Sequence, residues 1–212
     1  MTTLDTFLFD LDGTLIDSIE LIRVSYVHTL RVHCGLELDH DVWLAGLGTP
    51  LAVQFRRYTD DEREVERMIA TYRAHNAEHH DALLRGYPEV REMLDALVRR
   101  GVKLGIVTSK QRARAILGLE RCGLGGVFDV VVGVDEVRNP KPHPEPVTTA
   151  LALLDAAPER AIYVGDSPHD LASGRAAGTR TGAALWGPFP RAWLEPERPD
   201  HWLARPLELV EL

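Results

Sequence analysis

Four short segments of the sequence carry residues that could do chemistry, and the first is DLDGT at positions 10–14. Its carboxylates, Asp10 and Asp12, stand two residues apart. Gly13 permits the sharp turn that would let both face one cavity. Asp-Gly is also a common turn former, so the segment alone fits a structural turn at least as well as a reactive site.

The second segment is TSK at positions 108–110, which follows an apolar stretch. The hydroxyl of Thr108 and the neighbouring backbone N–H groups could hold a phosphoryl oxygen, as the first turn of a helix commonly does. The same residues could instead cap the helix expected to begin near Gln111. Taken singly, the cap is the favoured interpretation.

The third segment is KPHP at positions 141–144. Its two prolines fix φ and limit where Lys141 can point, which suits a positioned positive charge. Pro144 can also begin a helix, with Glu145 near the positive end of the helix dipole. The two interpretations do not compete.

The fourth segment is GDSPHD at positions 165–170. Ser167 and Asp170 have the spacing of a capping box, so Asp170 has a structural explanation. Asp166 has none, because it precedes the cap and directly follows an apolar stretch. It would join Asp10 in an acidic cluster that needs a cation to be tolerable.

The apolar stretches before these residues are short and rich in β-branched and aromatic residues, which predicts buried strands. They alternate with segments that have helical periodicity, and this alternation predicts a Rossmann-like parallel sheet with helices on both faces. Ligands of such sheets bind at the carboxyl ends of the strands, where Asp10, Thr108 and Asp166 are expected. The predicted strands are 6–10, 104–108, 127–133 and 161–165, and the predicted helices are 88–100, 111–122, 144–154 and 168–177.

Residues 17–86 break the alternation. They show helical periodicity, as at Ile22, Tyr26 and Leu30, but offer no comparable apolar strand. We therefore predict an all-helical domain at 17–86, inserted after the first strand of an α/β core formed by 1–16 and 87–212.

Composition excludes several classes of function. The 212 residues are 45% hydrophobic and 26% charged with a net charge of −8, as expected of a globular protein. This acidic balance argues against a nucleic-acid partner. No apolar run reaches membrane-spanning length and the start does not resemble a signal peptide, so we expect a cytoplasmic protein. Cys34 and Cys122 match no metal or redox spacing and are expected to be free thiols.

Three histidines and three tryptophans also need an interpretation. His75 and His79 could present two imidazoles on one helix face, and His80 adjoins them. No further ligand completes a recognisable metal site, so surface histidines are expected. The tryptophans of the C-terminal region, Trp186, Trp193 and Trp202, are expected to form a packed tail.

In this order and spacing, the DxDGT, strand-ending Thr, KPxP and GDxxxD segments resemble the four motifs of the haloacid dehalogenase superfamily. The resemblance covers the predicted core nearly end to end. The helical insert resembles the small cap domain of one large branch. The expected fold is therefore an α/β core of this superfamily with an inserted helical cap.

The resemblance implies roles for the motif residues. Asp10 would be the nucleophile that forms an aspartyl phosphate, and Asp12 would be its general acid and base. Mg²⁺ would be held by the side chains of Asp10 and Asp166 and by the backbone carbonyl of Asp12. Asp170 would support the metal through water or by orienting Lys141.

The same resemblance implies a site for the phosphoryl group. Thr108, Ser109 and Lys141 would bind and neutralise its oxygens. Substrate choice would lie in the cap, where the loop of Gly46, Gly48 and Thr49 is expected to meet the core, with Arg56 or its neighbour Arg57 as an anion contact.

Several reactions use this motif set. Dehalogenases usually lack the second aspartate, present here as Asp12, and a sugar phosphomutase would need cap residues that are not recognisable here. A binding protein without catalysis is disfavoured because Asp10, Asp12 and Lys141 are all present.

The segments GTLIDS, TSK, KPHPEP and VGDSPHD resemble phosphoglycolate phosphatases and their close neighbours, the bacterial pyrophosphatases of this fold. The segments SYVHTL, KPHPEP and LWGPFPR resemble the pyrophosphatase branch in particular. The expected function is a magnesium-dependent phosphatase of a small phosphorylated metabolite, phosphoglycolate phosphatase-like, with inorganic pyrophosphatase as the alternative. A monomer and a homodimer are both compatible with the sequence.

Overall fold

A parallel sheet forms the centre of the computed structural model, which describes residues 3–212 except for the side chains of residues 40 and 41. Its strand order is β5-β4-β1-β6-β7-β8, and every neighbouring pair in it is parallel. The strands of the described residues are β1 Thr6–Phe9, β2 Ile16–Asp17, β3 Arg85–Gly86, β4 Lys103–Val107, β5 Val130–Val132, β6 Ala161–Gly165, β7 Arg180–Ala184 and β8 His201–Leu203.

Strand β1 lies in the middle of this sheet, and all four of its residues are buried. A strand covered on both faces needs a continuous apolar run, which explains the absence of alternation in its sequence. Its last residue, Phe9, is in register with Ile106 of β4 and Val164 of β6. The carboxyl ends of these three strands therefore meet at one edge, and the predicted parallel α/β fold is confirmed.

Helices cover both faces of the sheet, and four of them precede β3 in the chain. Helices α1 and α4 pack on each other around Tyr26, Phe55 and Tyr72, with the first two rings stacked at a centroid distance of 5.2 Å. The α-helices of the described residues are α1 Ile19–Cys34, α2 His40–Leu44, α3 Leu51–Phe55, α4 Glu62–Leu83, α5 Val90–Arg100, α6 Arg112–Arg121, α7 Glu145–Leu153, α8 Pro168–Ala176 and α9 Arg191–Leu194.

Helices α1 to α4 are bracketed by two very short strands that the sequence did not predict. Ile16 and Asp17 of β2 pair antiparallel with Gly86 and Arg85 of β3. The chain therefore enters and leaves the helical segment at adjacent points. No helix of the described residues is both long and apolar enough to cross a membrane.

The C-terminal region adds β7 and β8 to the sheet, which the sequence also did not predict. Trp186 follows β7 and donates its indole N–H to the carbonyl of Thr14 at 2.8 Å. Trp202 lies in β8, and the Arg191 guanidinium sits 4.2 Å from its ring centroid. The expected packing holds for these two tryptophans, whereas Trp193 is 37% exposed.

Candidate active site

The loop after β1 places Asp10 and Asp12 at the carboxyl edge of the sheet. Asp10 is 7% exposed. Asp12 directs its Oδ1 to the hydroxyl of Ser18 and the Nζ of Lys110, each at 2.5 Å. Gly13 has φ +91°, and an added Cβ would lie 2.7 Å from Asp166 Oδ2. The turn therefore needs glycine both for its backbone conformation and for the close approach of Asp166.

Lys141 is almost fully buried, and its ammonium group joins two of the motif carboxylates. Its Nζ donates to Asp10 Oδ1 at 2.8 Å and to Asp170 Oδ1 at 2.6 Å, with Tyr163 Oη at 3.1 Å. Burial alone would lower the pKa of Lys141, but the carboxylates of Asp10 and Asp170 raise it above its ordinary value. The side chain is thus a fixed positive charge.

Asp170 divides its two oxygens between the helix cap and the lysine. Oδ2 accepts from the N–H and hydroxyl of Ser167 at 3.1 and 2.5 Å, which forms the predicted capping box of α8. Oδ1 accepts from Lys141 and lies 3.0 Å from Tyr163 Oη. The structural explanation of Asp170 and a role in orienting Lys141 are therefore compatible.

Asp166 completes a buried acidic cluster. One carboxylate oxygen from each of Asp10, Asp166 and Asp170 lies within 4.8 Å of the other two. Asp166 accepts a hydrogen bond from the Thr14 hydroxyl at 2.7 Å. Among the side chains that the structure describes, this cluster is the one group with three carboxylate, histidine or cysteine ligands placed to share a metal ion.

Lys141 compensates the negative charge of the cluster only in part, as the pKa values of its carboxyl groups indicate. Burial raises the pKa of Asp10 to about 7 despite the opposing effect of Lys141. Burial and the charges of Asp170 and Asp10 raise the pKa of Asp166 well above its usual range. Burial would also raise the pKa of Asp170, but Lys141 outweighs it and the pKa is lowered. A hard cation with oxygen ligands fits this group.

Thr108 and Ser109 follow β4 at the same edge. Neither caps α6, which begins at Arg112 after Gln111 without a side-chain cap hydrogen bond, so the capping interpretation is wrong and phosphoryl binding stays a prediction. Thr108 is buried, and its Oγ1 accepts from the backbone N–H of Lys110 at 3.2 Å. Ser109 donates its hydroxyl to the carbonyl of Gly48 at 2.7 Å. Ser109 therefore links the sheet edge to the helical segment.

A cavity of about 260 Å³ opens above these residues, between the sheet edge and α3 and α4. The motif residues that line it are Asp10, Asp12, Thr108, Ser109, Lys141 and Asp166. Of the residues predicted to read the substrate, Gly48 and Thr49 also line it. Gly46, the first residue of the loop at 46–50, is not part of the lining, and an added Cβ there would be 3.3 Å from Gln54 Oε1.

Arg56 does not line this cavity. Its guanidinium group forms an exposed two-point ion pair with Glu62, at 2.7 and 2.8 Å. Arg56 follows α3 and Glu62 begins α4, so the pair bridges two successive helices on the outside. The predicted anion contact of Arg56 is therefore not found at this cavity, because its position in the sequence does not determine where its side chain points.

Two arginines that the sequence analysis did not single out do line the cavity, Arg73 of α4 and Arg114 of α6. Neither carries a local signal, because an arginine on an amphipathic helix looks the same whether it faces solvent or a cavity. Tyr163 was also missed. A tyrosine within an otherwise apolar buried strand, as in AIYVG, is a signal that a hydroxyl needs a partner there.

Comparison with known proteins agrees with this arrangement. Residues 7–184 match the family model of haloacid dehalogenase-like hydrolases. Pyrophosphatase PpaX of Bacillus cereus strain B4264 is 44% identical over 209 residues, which is 99% of this chain and 96% of that protein.

Solved structures give the same picture. A haloacid dehalogenase-like family hydrolase from Streptococcus pneumoniae has a TM-score of 0.85 at 26% identity, with 100% of this chain and 99% of that chain covered. A predicted phosphoglycolate phosphatase from Haemophilus somnus shares the fold, with a TM-score of 0.90 at 24% identity over 100% and 98% of the two chains. With its four motifs gathered at one sheet edge and a relative matched over its whole length, the chain belongs to the haloacid dehalogenase-like hydrolases.

Proposed function

We propose that this hydrolase is a magnesium-dependent phosphatase that cleaves inorganic pyrophosphate through a phosphorylated Asp10. The observation that carries the phosphatase chemistry is the buried group of Asp10, Asp166, Asp170 and Lys141 beside Asp12. Pyrophosphate is favoured as substrate by the whole-length similarity to a pyrophosphatase. 2-Phosphoglycolate is the second candidate, because the motif wording also resembles phosphoglycolate phosphatases.

Asp10 is the proposed nucleophile. Its Oδ1 is held by Lys141 at 2.8 Å, which fixes the carboxylate in the cavity. An oxygen of Asp10 forms a bond to phosphorus while the bond from phosphorus to the leaving oxygen breaks. Lys141 and the hydroxyl and backbone N–H groups at Thr108 stabilise the charge on the phosphoryl oxygens, which is the main task of a protein in phosphoryl transfer.

Asp12 is the proposed general acid and base. It gives a proton to the leaving orthophosphate and then takes one from the water that attacks the aspartyl phosphate. The second step frees Asp10 and releases the other orthophosphate, so one pyrophosphate and one water yield two orthophosphates. Ser18 and Lys110 hold Asp12 Oδ1 at 2.5 Å each and orient it for both transfers.

Asp10 and Asp166, with Asp170 in the same cluster, are the residues that would hold Mg²⁺. The ion would supply positive charge that neutralises phosphoryl oxygens.

We further propose that residues 17–86 act as a cap over the site. The hydrogen bond from Ser109 to the carbonyl of Gly48 supports this role, since it ties the helical segment to the sheet edge.

The experiment is phosphate release in the presence of Mg²⁺ from pyrophosphate, 2-phosphoglycolate and β-glucose 1-phosphate. The highest kcat/KM is expected for pyrophosphate, and Asp10→Asn should abolish turnover. Asp5→Asn, at the other end of β1, is the matched control that keeps it. Preference for 2-phosphoglycolate would establish the second candidate. Phosphorylation of Asp10 without phosphate release would favour a phosphomutase.

A further inference from the structure

The cavity has a second polar region besides the acidic cluster, formed by Arg73 and Arg114. Arg73 comes from α4 in the helical segment, and Arg114 comes from α6 beside the sheet. Both line the same cavity as Asp10 and Lys141, and both are partly buried. The helical segment and the core therefore each contribute one cation to the cavity lining.

These two arginines lack the partners that other arginines have. Arg67 pairs with Glu64 and Arg91 pairs with Asp95, each within its own helix. Within the part of the chain that the structure describes, neither Arg73 nor Arg114 makes a hydrogen bond or an ion pair through its guanidinium group. Burial and the nearby charge of Arg73 lower the pKa of Arg114. Two like charges thus lie near each other in the cavity lining, and among the described residues neither is paired with a carboxylate.

An anion bound between the two arginines would offset this repulsion. The geometry of the guanidinium groups indicates which class of anion fits best. A guanidinium group offers a planar fork of donors that matches the oxygens of a phosphate. A carboxylate has two oxygens and one charge, which suit a single fork. A terminal phosphoryl group has three oxygens and more charge, so it can accept from two forks that approach from different sides.

We propose that Arg73 and Arg114 form an anion clamp that binds the leaving phosphoryl group of pyrophosphate, while Asp10 and Lys141 engage the phosphoryl group that is transferred. The clamp rests on the proposed function for the identity of its substrate. In this proposal, substrate specificity depends on Arg73 of the helical segment and Arg114 of the core. A substrate without a second phosphoryl group does not fill the clamp.

The kinetic test compares Arg73→Gln and Arg114→Gln on pyrophosphate and on p-nitrophenyl phosphate, whose leaving group carries no phosphoryl. A hydrogen bond to a charged group contributes about 1.5 to 3 kcal/mol, which is roughly 10- to 150-fold in rate or affinity. The ratio of kcat/KM for pyrophosphate to that for p-nitrophenyl phosphate should fall at least about tenfold in each variant. The controls Arg63→Gln on α4 and Arg121→Gln on α6, both exposed and outside the cavity lining, should keep the wild-type ratio.

A binding test separates the clamp from the proposed function. Calorimetry with Mg²⁺ measures the affinity for methylenediphosphonate, a diphosphonate that is not hydrolysed, and for methylphosphonate. Each variant should bind the diphosphonate at least about tenfold more weakly and methylphosphonate with a much smaller loss. Circular dichroism melting checks that the variants are folded.

The outcomes are distinct. If the wild type does not hydrolyse pyrophosphate but the variants lose diphosphonate affinity, the proposed substrate is wrong and the clamp stands as an anion site. If pyrophosphate is hydrolysed and both variants match the wild type in ratio and affinity, the clamp is wrong and the proposed function stands. A wild type that does not bind methylenediphosphonate also overturns the clamp.

Discussion

Among single residues, Lys141 has the most demanding environment, because its ammonium group neutralises two buried carboxylates at once. Asp10 lies 2.8 Å away and Asp170 lies 2.6 Å away. A buried charge that loses its partner is strongly destabilising, whereas exchanging both partners for neutral groups can be nearly without effect. The contribution of Lys141 to folding can therefore be separated from its contribution to catalysis.

We predict that Lys141→Gln loses about 2 to 4 kcal/mol of transition-state stabilisation, because a phosphoryl-binding cation is removed. The free energy of unfolding of the same variant should be lower by about 3 kcal/mol, because Asp170 keeps its buried charge without a partner. Adding Asp170→Asn should restore much of the stability, because the asparagine oxygen can take the place of Asp170 Oδ2 in the cap of α8 and its amide N–H can donate to residue 141. Turnover should remain low in the double variant.

Urea unfolding and kcat/KM of the two single variants and the double variant make this measurement. Wild-type turnover from a folded Lys141→Gln protein would contradict the assignment of Lys141. Recovery of turnover together with stability in the double variant would mean that Lys141 acts only by holding Asp170.

Asp10, Thr108 and Asp166 could be predicted because each directly follows an apolar strand within a short linear pattern, and Asp170 could be predicted from its capping-box spacing to Ser167. Parallel strands bring such ends together, so Asp10, Thr108 and Asp166 needed only the strand assignment. Arg73 and Arg114 could not be found this way. Their position depends on how α4 and α6 face each other across the cavity, which no local pattern specifies.

Among the elements, the loop at 46–50 is the contact between helical segment and sheet edge. Gly48 has φ +88°, and an added Cβ would lie 3.3 Å from Ser167 Oγ. Gly35, at the end of α1, also has a positive φ, of +65°, but an added Cβ would meet nothing within 4 Å. Substitution by alanine would therefore strain the backbone at both glycines, but only at Gly48 would the new methyl group contact other residues.

We predict that Gly48→Ala and Gly35→Ala each destabilise the protein by about 1 kcal/mol, as expected for alanine at positive φ. Only Gly48→Ala should also raise KM, because its methyl group presses the loop away from Ser167 at the cavity. Thermal melting and steady-state kinetics of both variants test this. An equal KM in the two variants would show that the loop at 46–50 does not contribute to substrate binding.

Helices α1 and α4 meet through a stack of three histidines, which replaces the expected set of surface histidines. The ring centroids of His28 and His75 are 4.3 Å apart, and those of His75 and His79 are 4.1 Å apart. His75 Nδ1 also lies 3.2 Å from Ser25 Oγ. His28 is distant in sequence from the other two, so only the packing of the helices could reveal the stack.

Burial and the two neighbouring imidazoles lower the pKa of His75. The unfolded chain, with its ordinary pKa near 6.5, then binds more protons than the folded chain under mildly acidic conditions. Stability should therefore fall as the pH drops through about 6.5. We predict that His75→Phe, which keeps an aromatic ring, reduces this fall.

The measurement is the free energy of unfolding in urea at pH 7.5 and at about pH 5.5. His80→Phe, the same change on the same helix outside the stack, is the control and should keep the wild-type dependence. An unaltered pH dependence in His75→Phe would show that the stack does not contribute.

For the molecule as a whole, the central sheet was predictable and its far edge was not. Strands β1, β4 and β6 are continuous apolar runs because both faces are covered. Strand β7 has the sequence RTGAA, whose small residues give little hydrophobic signal, and β8 has three residues. Both strands are stabilised by pairing with a neighbouring strand. This tertiary contact cannot be predicted from the local sequence.

The acidic cluster connects the stability of the whole molecule to metal and to pH. The pKa of Asp10 is raised from 3.8 to about 7, and that of Asp166 is also raised. Without metal, the folded protein therefore holds protons that the unfolded chain releases near pH 4, so the cluster's contribution to stability falls as the pH rises through about 7. A bound cation should offset this loss of stability at high pH, because the cation binds the deprotonated carboxylates.

We predict that Mg²⁺ stabilises the protein against urea at pH 8 by about 2.7 kcal/mol when its concentration is a hundred times its dissociation constant at that pH. The same concentration should stabilise less at pH 6, because protonated carboxyls bind the cation more weakly. Asp166→Asn should lose most of this gain. Without metal, Asp166→Asn should also be less sensitive to pH than the wild type, because one buried titrating carboxyl is gone. Asp5→Asn, outside the cluster, should behave as the wild type does. An equal gain from Mg²⁺ in Asp166→Asn would place the cation elsewhere, since a ligand that stabilises the folded state does so only through the groups that bind it.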